Sequence, residues 1–152
     1  MYKQIALIGS PFIFQYNNIE EQLKNYLEEE IKNGCSHFLV GNLYDFDNKV
    51  FEIFRKLKKD YPQIQITQVV NEYNAYNYKV KNYSRVYETN YLFLELEEID
   101  MTGNLLELHK FMVDNSDKII SCYNTANDIP FMEIFNYAIS NQKEIINFFE
   151  FI

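Results

Sequence analysis

Five short apolar runs are spaced along the chain. They cover residues 5–8, 37–40, 64–70, 118–123 and 144–149. Runs of this length with few polar residues are typical of strands that are buried on both faces of a sheet. Between the runs, apolar residues recur about every three to four positions, as they do on one face of a helix. The pattern therefore predicts strands that alternate with helices.

Residues that start or stop a helix refine this prediction. Gly34 ends the first helix, because glycine tolerates left-handed backbone. Asp47 is a candidate N-cap for the second helix, which ends before Pro62 because proline disfavours helical backbone in the preceding residue. Pro130 suits the first turn of the last helix. The four predicted helices cover residues 18–32, the segment from the Asp47 cap to residue 60, residues 104–115 and the segment from 130 onward.

Alternating strands and helices favour right-handed crossovers and parallel strands. We therefore predict a Rossmann-like three-layer α/β fold with a mostly parallel sheet of about five strands, as a single domain over residues 1–152. Residues 71–102 are rich in Asn and Tyr without a clear period, and they are predicted to form an irregular insert. Within it, residues 91–96 are interpreted either as a strand or as an extended strap.

The chain is acidic, which narrows the classes of partner. It has 14 Lys and Arg residues against 22 Asp and Glu residues, a formal net charge of −8. Nucleic-acid binding rests on a basic surface that neutralises phosphates, so we expect no nucleic-acid partner. An anionic small ligand remains compatible with this charge, because backbone N–H groups at helix N-termini bind anions locally.

Nothing in the sequence predicts a membrane, a metal or a secretory route. The N-terminal apolar stretch is too short for a signal peptide, and no stretch approaches the roughly 20 apolar residues of a membrane span. We therefore expect a cytoplasmic protein with no membrane partner. Cys35 and Cys122 lack the spacing of a zinc site and are predicted to be small buried core residues. There is no GxGxxG or Walker A sequence, and we predict no cofactor and no metal.

Several segments resemble the YpsA-like branch of the SLOG superfamily. Members carry a strand, a Gly-Asn or Gly-Gly pair, a Phe-Asp pair, and a helix that ends in Leu-Lys and Tyr-Pro. The corresponding residues here are Gly41, Asn42, Phe46, Asp47, Leu57, Lys58, Tyr61 and Pro62. Two weaker points of resemblance are a Met-Val to Ser-Asp stretch within residues 111–117 and a Tyr-x-Thr segment at residues 87–89. In order and spacing, the resemblance covers most of the chain.

The resemblance implies a Rossmann-like domain that binds or processes nucleotides or nucleotide-derived ligands. Some members hydrolyse nucleotide monophosphates, and others are sensor domains in defence and conflict systems. The sequence departs from the branch at three places. Gly9-Ser10-Pro11 stands where Gly-His-Arg is usual, and Leu108-His109 where Arg-Asn is usual. Residues 127–130 also lack the Gly-Gly turn that lets backbone approach a phosphate.

The predicted ligand-binding residues follow the strands at their carboxyl ends. In a parallel sheet these ends meet along one edge, where ligands bind at the switch in strand order. The resemblance implies a site in the same region. The predicted residues are Gly9, Ser10, Gly41, Asn42, Asp45, Asp47, Asn124 and Thr125.

Each group has a structural alternative. Gly9 and Ser10 could present backbone N–H groups to an anion, or they could form an ordinary strand-to-helix turn. Asp45 and Asp47 could hold a divalent ion or a ribose hydroxyl. Alternatively, Asp47 only caps its helix and Asp45 lies in solvent.

Glu133 is the candidate catalytic residue, because the resemblance implies a catalytic Glu after the glycine turn of enzymatic relatives. The alternative is a solvated Glu in the first turn of its helix, favoured by the helix dipole. His37 and His109 lack the spacing of a catalytic triad and are interpreted as structural. A tyrosine cluster in the insert could stack on a base, contact a partner or pack as a strap. Its members are Tyr73, Tyr76, Tyr78, Tyr83, Tyr87 and Tyr91.

Three functions follow from these residues. The favoured one is a binding module that recognises a nucleotide-derived small molecule, as a sensor or sequestering protein in phage or defence conflict. The second is a nucleotide or N-glycosidic hydrolase that uses Glu133 with Asp45 and Asp47. The third is an interaction protein, a homodimer, whose ancestral site has decayed. The missing glycine turn and arginines favour the first and third functions over the second.

Overall fold

The structure is a computed structural model that describes residues 4–9, 19–41, 45–71, 97–101, 105–122 and 129–148. Strands and helices alternate along the described segments, and residues 72–96, between the third and fourth strands, lie outside them. In chain order the elements are β1 Gln4–Gly9, α1 Ile19–Lys32, β2 His37–Val40, α2 Asp45–Asp60, β3 Gln65–Asn71, β4 Glu97–Met101, α3 Leu105–Asp114, β5 Lys118–Cys122, α4 Ile129–Ser140 and β6 Glu144–Asn147.

All six strands form one sheet in the order β4-β3-β2-β1-β5-β6, and every neighbouring pair is parallel. The strand order reverses at β1, which lies between β2 and β5. In register, Leu7 of β1 pairs with Val40 of β2 and with Ile120 of β5. The carboxyl ends of the strands therefore meet at one edge, and β1 marks the switch point of a Rossmann-like sheet.

Two hydrophobic cores cover the two faces of the sheet. Alternate residues of a strand point to opposite faces, so Ile5 and Leu7 pack in one core while Ala6 and Ile8 pack in the other. The first core is completed by α1 and α2, and the second by α3 and α4. This layering confirms the predicted three-layer α/β fold. The apolar stripes of the helices include Leu23, Leu27, Val50, Phe51 and Phe54 on the first face and Leu108, Met112, Ile134 and Ala138 on the second.

The end of α1 lies where the sequence predicts it, but the start of α2 does not. Gly34 has a φ of 105°, and its N–H donates to the carbonyl of Ile31 at 3.0 Å. The prediction that Asp47 is an N-cap is wrong, because α2 begins at Asp45 and an N-cap lies outside its helix. Asp47 instead lies within the first turn, where free backbone N–H groups also favour a carboxylate.

The sheet has one strand more than the five apolar runs predict. β4 has the sequence Glu-Glu-Ile-Asp-Met and pairs with β3 at the edge of the sheet. Edge strands carry charged residues that interrupt the apolar pattern. For this reason the spacing of apolar residues does not reveal β4. The segments 72–96 and 123–128 lie outside the described residues, and so do the predicted strand or strap at 91–96 and the tyrosine cluster.

Both cysteines are buried thiols, as predicted from their apolar neighbours. In the described part of the chain, no helix is long and apolar enough to cross a membrane.

Candidate functional site

Two glycines mark the carboxyl edge of the sheet at its switch point. Gly9 is the last residue of β1 and pairs in register with Cys122, the last residue of β5. Gly41 directly follows β2, the neighbour of β1 on the other side. Both glycines are buried. The Phe46-Asp47 pair at the start of α2 lies against these two strand ends.

The ring of Phe46 occupies the place where Gly9 would carry a side chain. A Cβ atom built on Gly9 would lie 2.1 Å from Cγ of Phe46 and 2.4 Å from its two Cδ atoms. Phe46 is fully buried in the core beneath α1 and α2. The glycine at the end of β1 is therefore required for packing, whatever its backbone N–H also contacts.

The carboxylate of Asp47 lies against Gly41. A Cβ atom built on Gly41 would be 3.2 Å from Oδ2 of Asp47, and Asp47 is only 6% exposed. Buried carboxylates are rare unless they are hydrogen-bonded, and the first turn of α2 supplies backbone N–H groups and a favourable dipole. The Phe-Asp pair thus closes over the ends of two adjacent strands, with a ring over β1 and a carboxylate at β2.

Only part of the predicted site lies within the described residues. Ser10, Asn42, Asn124 and Thr125 fall outside them. Asp45 is the first residue of α2, but its side chain is not described either. The structure therefore brings Gly9, Gly41 and Asp47 together at one edge, and the other predicted ligand-binding residues stay predictions.

Glu133 does not join this group in the described structure. It is exposed on α4, which packs on the face of the sheet opposite to α2. Glu133 and Asp47 therefore belong to helices that pack against opposite faces of the sheet. This arrangement agrees with the interpretation of Glu133 as a solvated residue near the start of its helix.

Burial shifts the pKa values of two other ionisable side chains away from the range in which they could act in catalysis. Burial lowers the pKa of His109 to about 4, so this side chain is neutral at physiological pH. Burial raises the pKa of the Cys122 thiol to about 12, although this residue ends β5 beside Gly9. A thiol acts as a nucleophile only when ionised, so Cys122 is a packing residue.

A buried polar residue that the sequence analysis did not single out lies close to this edge. Gln68 in β3 is 0% exposed, and neither its Oε1 nor its Nε2 has a hydrogen-bond partner among the residues that the structure describes. It pairs in register with Val40, the residue before Gly41. The available signal was a glutamine between the β-branched residues Thr67 and Val69 in a predicted strand.

The amino end of the sheet holds a buried charged group of structural character. Nζ of Lys118, at the start of β5, donates to Oε1 of Glu30 at 2.9 Å and to the hydroxyl of Tyr26, and lies 3.4 Å from Oε1 of Glu144. Burial alone would lower the pKa of Lys118, but the hydrogen bonds to Tyr26 and Glu30 outweigh it and raise that pKa. The lysine is therefore a permanent cation that ties α1 to β5.

A cavity of about 540 Å³ lies beside α1 and β6. Tyr26 and Phe148 form its aromatic wall, with ring centroids 5.3 Å apart in an edge-to-face contact. Among the described residues its lining includes none of the predicted site and consists of Gln22, Asn25, Tyr26, Glu29, Ile146 and Phe148. Among the described side chains, no group of three or more His, Cys, Asp or Glu residues could hold a metal ion.

Comparison with known proteins gives a family but little beyond it. A family model described as the YspA SLOG family, YpsA, matches residues 13–148. No curated protein matches the chain. One similar solved structure is described as "Structural study of Project ID from Aquifex aeolicus VF5". It is 10% identical, with a TM-score of 0.42, over 95% of this chain and 73% of that chain. The strand order and the parallel register define the Rossmann-like fold of this chain.

Proposed function

The chain belongs to the YspA SLOG family, and we propose that it binds a nucleotide-derived small molecule at the carboxyl edge of its sheet without turning it over. The family has a nucleotide-related ligand-binding fold. The observation that carries the proposal is the buried carboxylate of Asp47, held against Gly41 at the end of β2. This carboxylate lies at the switch point of the sheet, where ligands of Rossmann-like domains bind.

The charges at this edge favour one orientation of the ligand. Asp47 repels phosphate, but its carboxylate oxygens accept hydrogen bonds from the hydroxyls of a ribose. The glycine after β2 leaves room for this carboxylate against the backbone. We place the anionic part of the ligand at the predicted turn of Gly9 and Ser10, where backbone N–H groups can bind it.

Binding without turnover is supported by the state of the candidate catalytic groups. Glu133 is exposed on the other face of the sheet, the Cys122 thiol stays protonated, and His109 is buried and neutral. Glu133 and His109 lie on helices that cover the face of the sheet opposite to Asp47. A protonated Cys122 thiol does not act as a nucleophile. A sensor or a sequestering protein in phage or defence conflict is the role we propose for such a binding module.

The proposal is tested by thermal unfolding with a panel of nucleotides, ADP-ribose forms and cyclic nucleotides. A ligand at 100 times its Kd stabilises the folded state by about 2.7 kcal/mol, which corresponds to roughly 5–10 °C in Tm at this chain length. Turnover of any ligand that binds is followed by chromatography. A shift with release of product would contradict binding without turnover, and no shift across the panel would contradict ligand binding.

Asp47→Asn separates the carboxylate from the packing, because the two side chains have nearly the same shape. We expect the variant to lose at least tenfold in affinity, since a hydrogen bond to a charged group contributes about 1.5–3 kcal/mol. Asp60→Asn is the matched control, because Asp60 ends the same helix and is exposed. Equal affinity of the two variants for the ligand would show that Asp47 does not contact it.

A further inference from the structure

The side-chain amide of Gln68 is enclosed in the protein with both of its polar ends unpaired. Gln68 is 0% exposed, and within the described part of the chain Oε1 and Nε2 have no hydrogen-bond partner. Most buried side-chain polar atoms in folded proteins are paired, and an unpaired one destabilises the fold. Stability therefore does not explain why both polar ends of this buried amide are unpaired.

The position of Gln68 points to the corner occupied by Asp47. Ile64 and Ile66 pack in the core under α1 and α2. Side chains two residues apart in a strand share a face, so Gln68 lies on the face that α2 covers. Its register partner is Val40, the last residue of β2, and Gly41 comes next. Gln68 is thus level with the end of the strand at which the Asp47 carboxylate lies.

We infer that Gln68 recognises the edge of a planar group in the ligand on which an amino group stands next to a ring nitrogen. The inference rests on the proposed function, because it assigns a second contact to the same ligand. Oε1 accepts hydrogen bonds and Nε2 donates them, so one amide can pair with an adjacent donor and acceptor. Glutamine pairs in this way with the amino group and ring nitrogen of adenine.

The same geometry sets what the residue rejects. An edge with two neighbouring acceptors, or with an acceptor alone, leaves Oε1 facing a group that cannot donate. In an enclosed position this mismatch is severe, because unpaired polar groups are left without water. Binding of a planar group here also requires the packing around Gln68 to open, so we expect association to be slower than simple encounter.

The first experiment compares three probes by titration calorimetry on the full chain: adenosine 5′-monophosphate, purine riboside 5′-monophosphate and ribose 5-phosphate. Purine riboside differs from adenosine only in lacking the amino group. We expect adenosine monophosphate to bind at least tenfold more tightly than the purine riboside compound, and Gln68→Met to abolish that difference. Equal affinity of the two nucleotides for the natural chain would overturn the inference and leave the proposed function standing.

Ribose 5-phosphate distinguishes binding of the sugar and phosphate from recognition of the base by Gln68. Binding of this probe, with no gain from either base, would support the sugar-phosphate site and reject recognition by Gln68. Binding of none of the three probes, together with no response to the wider ligand panel, would reject the proposed function and this inference with it.

The second experiment measures stability without ligand. Methionine has nearly the shape of glutamine but no unpaired polar atoms, so Gln68→Met should raise Tm by about 2 °C or more. Gln65→Met is the matched control, because Gln65 begins the same strand and is only partly buried. A Tm of Gln68→Met below that of both the natural chain and the control would show that the amide has a structural partner, and would overturn the inference.

Discussion

Replacing Gly9 by alanine should strongly destabilise the protein, because the added methyl group falls on the ring of Phe46. The Cβ atom would lie 2.1–2.4 Å from three ring atoms, whereas packed carbon atoms lie about 3.5–4.0 Å apart. The ring and the strand would have to separate by roughly 1.5 Å to restore that spacing. Phe46 is fully buried, so it has no solvent-filled space into which it can move.

The magnitude follows from the cost of overfilling a core. Extra methyl groups in packed cores cost about 1–3 kcal/mol, and a clash with three atoms of a buried ring belongs at the upper end. We expect a loss of about 3 kcal/mol in the free energy of unfolding, or a drop in Tm of roughly 6–12 °C. Gly41→Ala is the control: its Cβ would stand 3.2 Å from a carboxylate oxygen of Asp47, so we expect a smaller loss.

The assay is urea unfolding followed by circular dichroism for Gly9→Ala, Phe46→Leu and the double variant. Phe46→Leu alone destabilises by removing buried ring atoms, but it also makes room for the methyl group. The double variant should therefore be more stable than additivity predicts, by at least about 1 kcal/mol. Additive effects, or a Gly9→Ala protein within about 0.5 kcal/mol of the natural chain, would refute the packing argument.

Two further predictions concern buried ionisable groups. Burial lowers the pKa of His109 from 6.5 to about 4, so between these values the unfolded chain binds a proton that the folded chain does not. Stability should therefore fall as the pH drops from 6.5 to 4, by at most about 3 kcal/mol from this group, and denaturation of His109→Gln across that range should show a shallower fall. Lys118→Met should cost about 3–5 kcal/mol, because it leaves the carboxylate of Glu30 without its cation. Adding Glu30→Gln should recover part of that loss in thermal unfolding, and no recovery would mean that the lysine acts through packing alone.

Much of the fold could be predicted because local patterns act through short distances in the chain. Gly34, whose φ is positive, ends α1. The apolar runs at residues 37–40 and 118–122 form central strands that are buried on both faces. Each of these outcomes depends on backbone preference or on the burial of neighbouring residues. The acidic edge strand Glu97–Met101 could not be predicted in this way, because its pairing with β3 carries no apolar period.

The candidate site was likewise predicted only in part from the sequence. The resemblance singled out Phe46 and Asp47 as a pair, but it could not say that the ring fills the space above Gly9 or that the carboxylate lies on Gly41. The start of α2 was misplaced because an Asp is favourable both as an N-cap and within the first turn. Only hydrogen bonding along the helix distinguishes these two positions.

The sequence by itself determined the alternation of strands and helices, the family and the acidic character of this protein. These properties depend on periodicity, residue order and charge, which can be read along one chain. The tertiary structure alone decided which distant residues meet: Phe46 with Gly9, Asp47 with Gly41, and Gln68 beside the end of β2. Such contacts depend on strand order and register, which result from the packing of the whole sheet and leave no local pattern at the residues concerned.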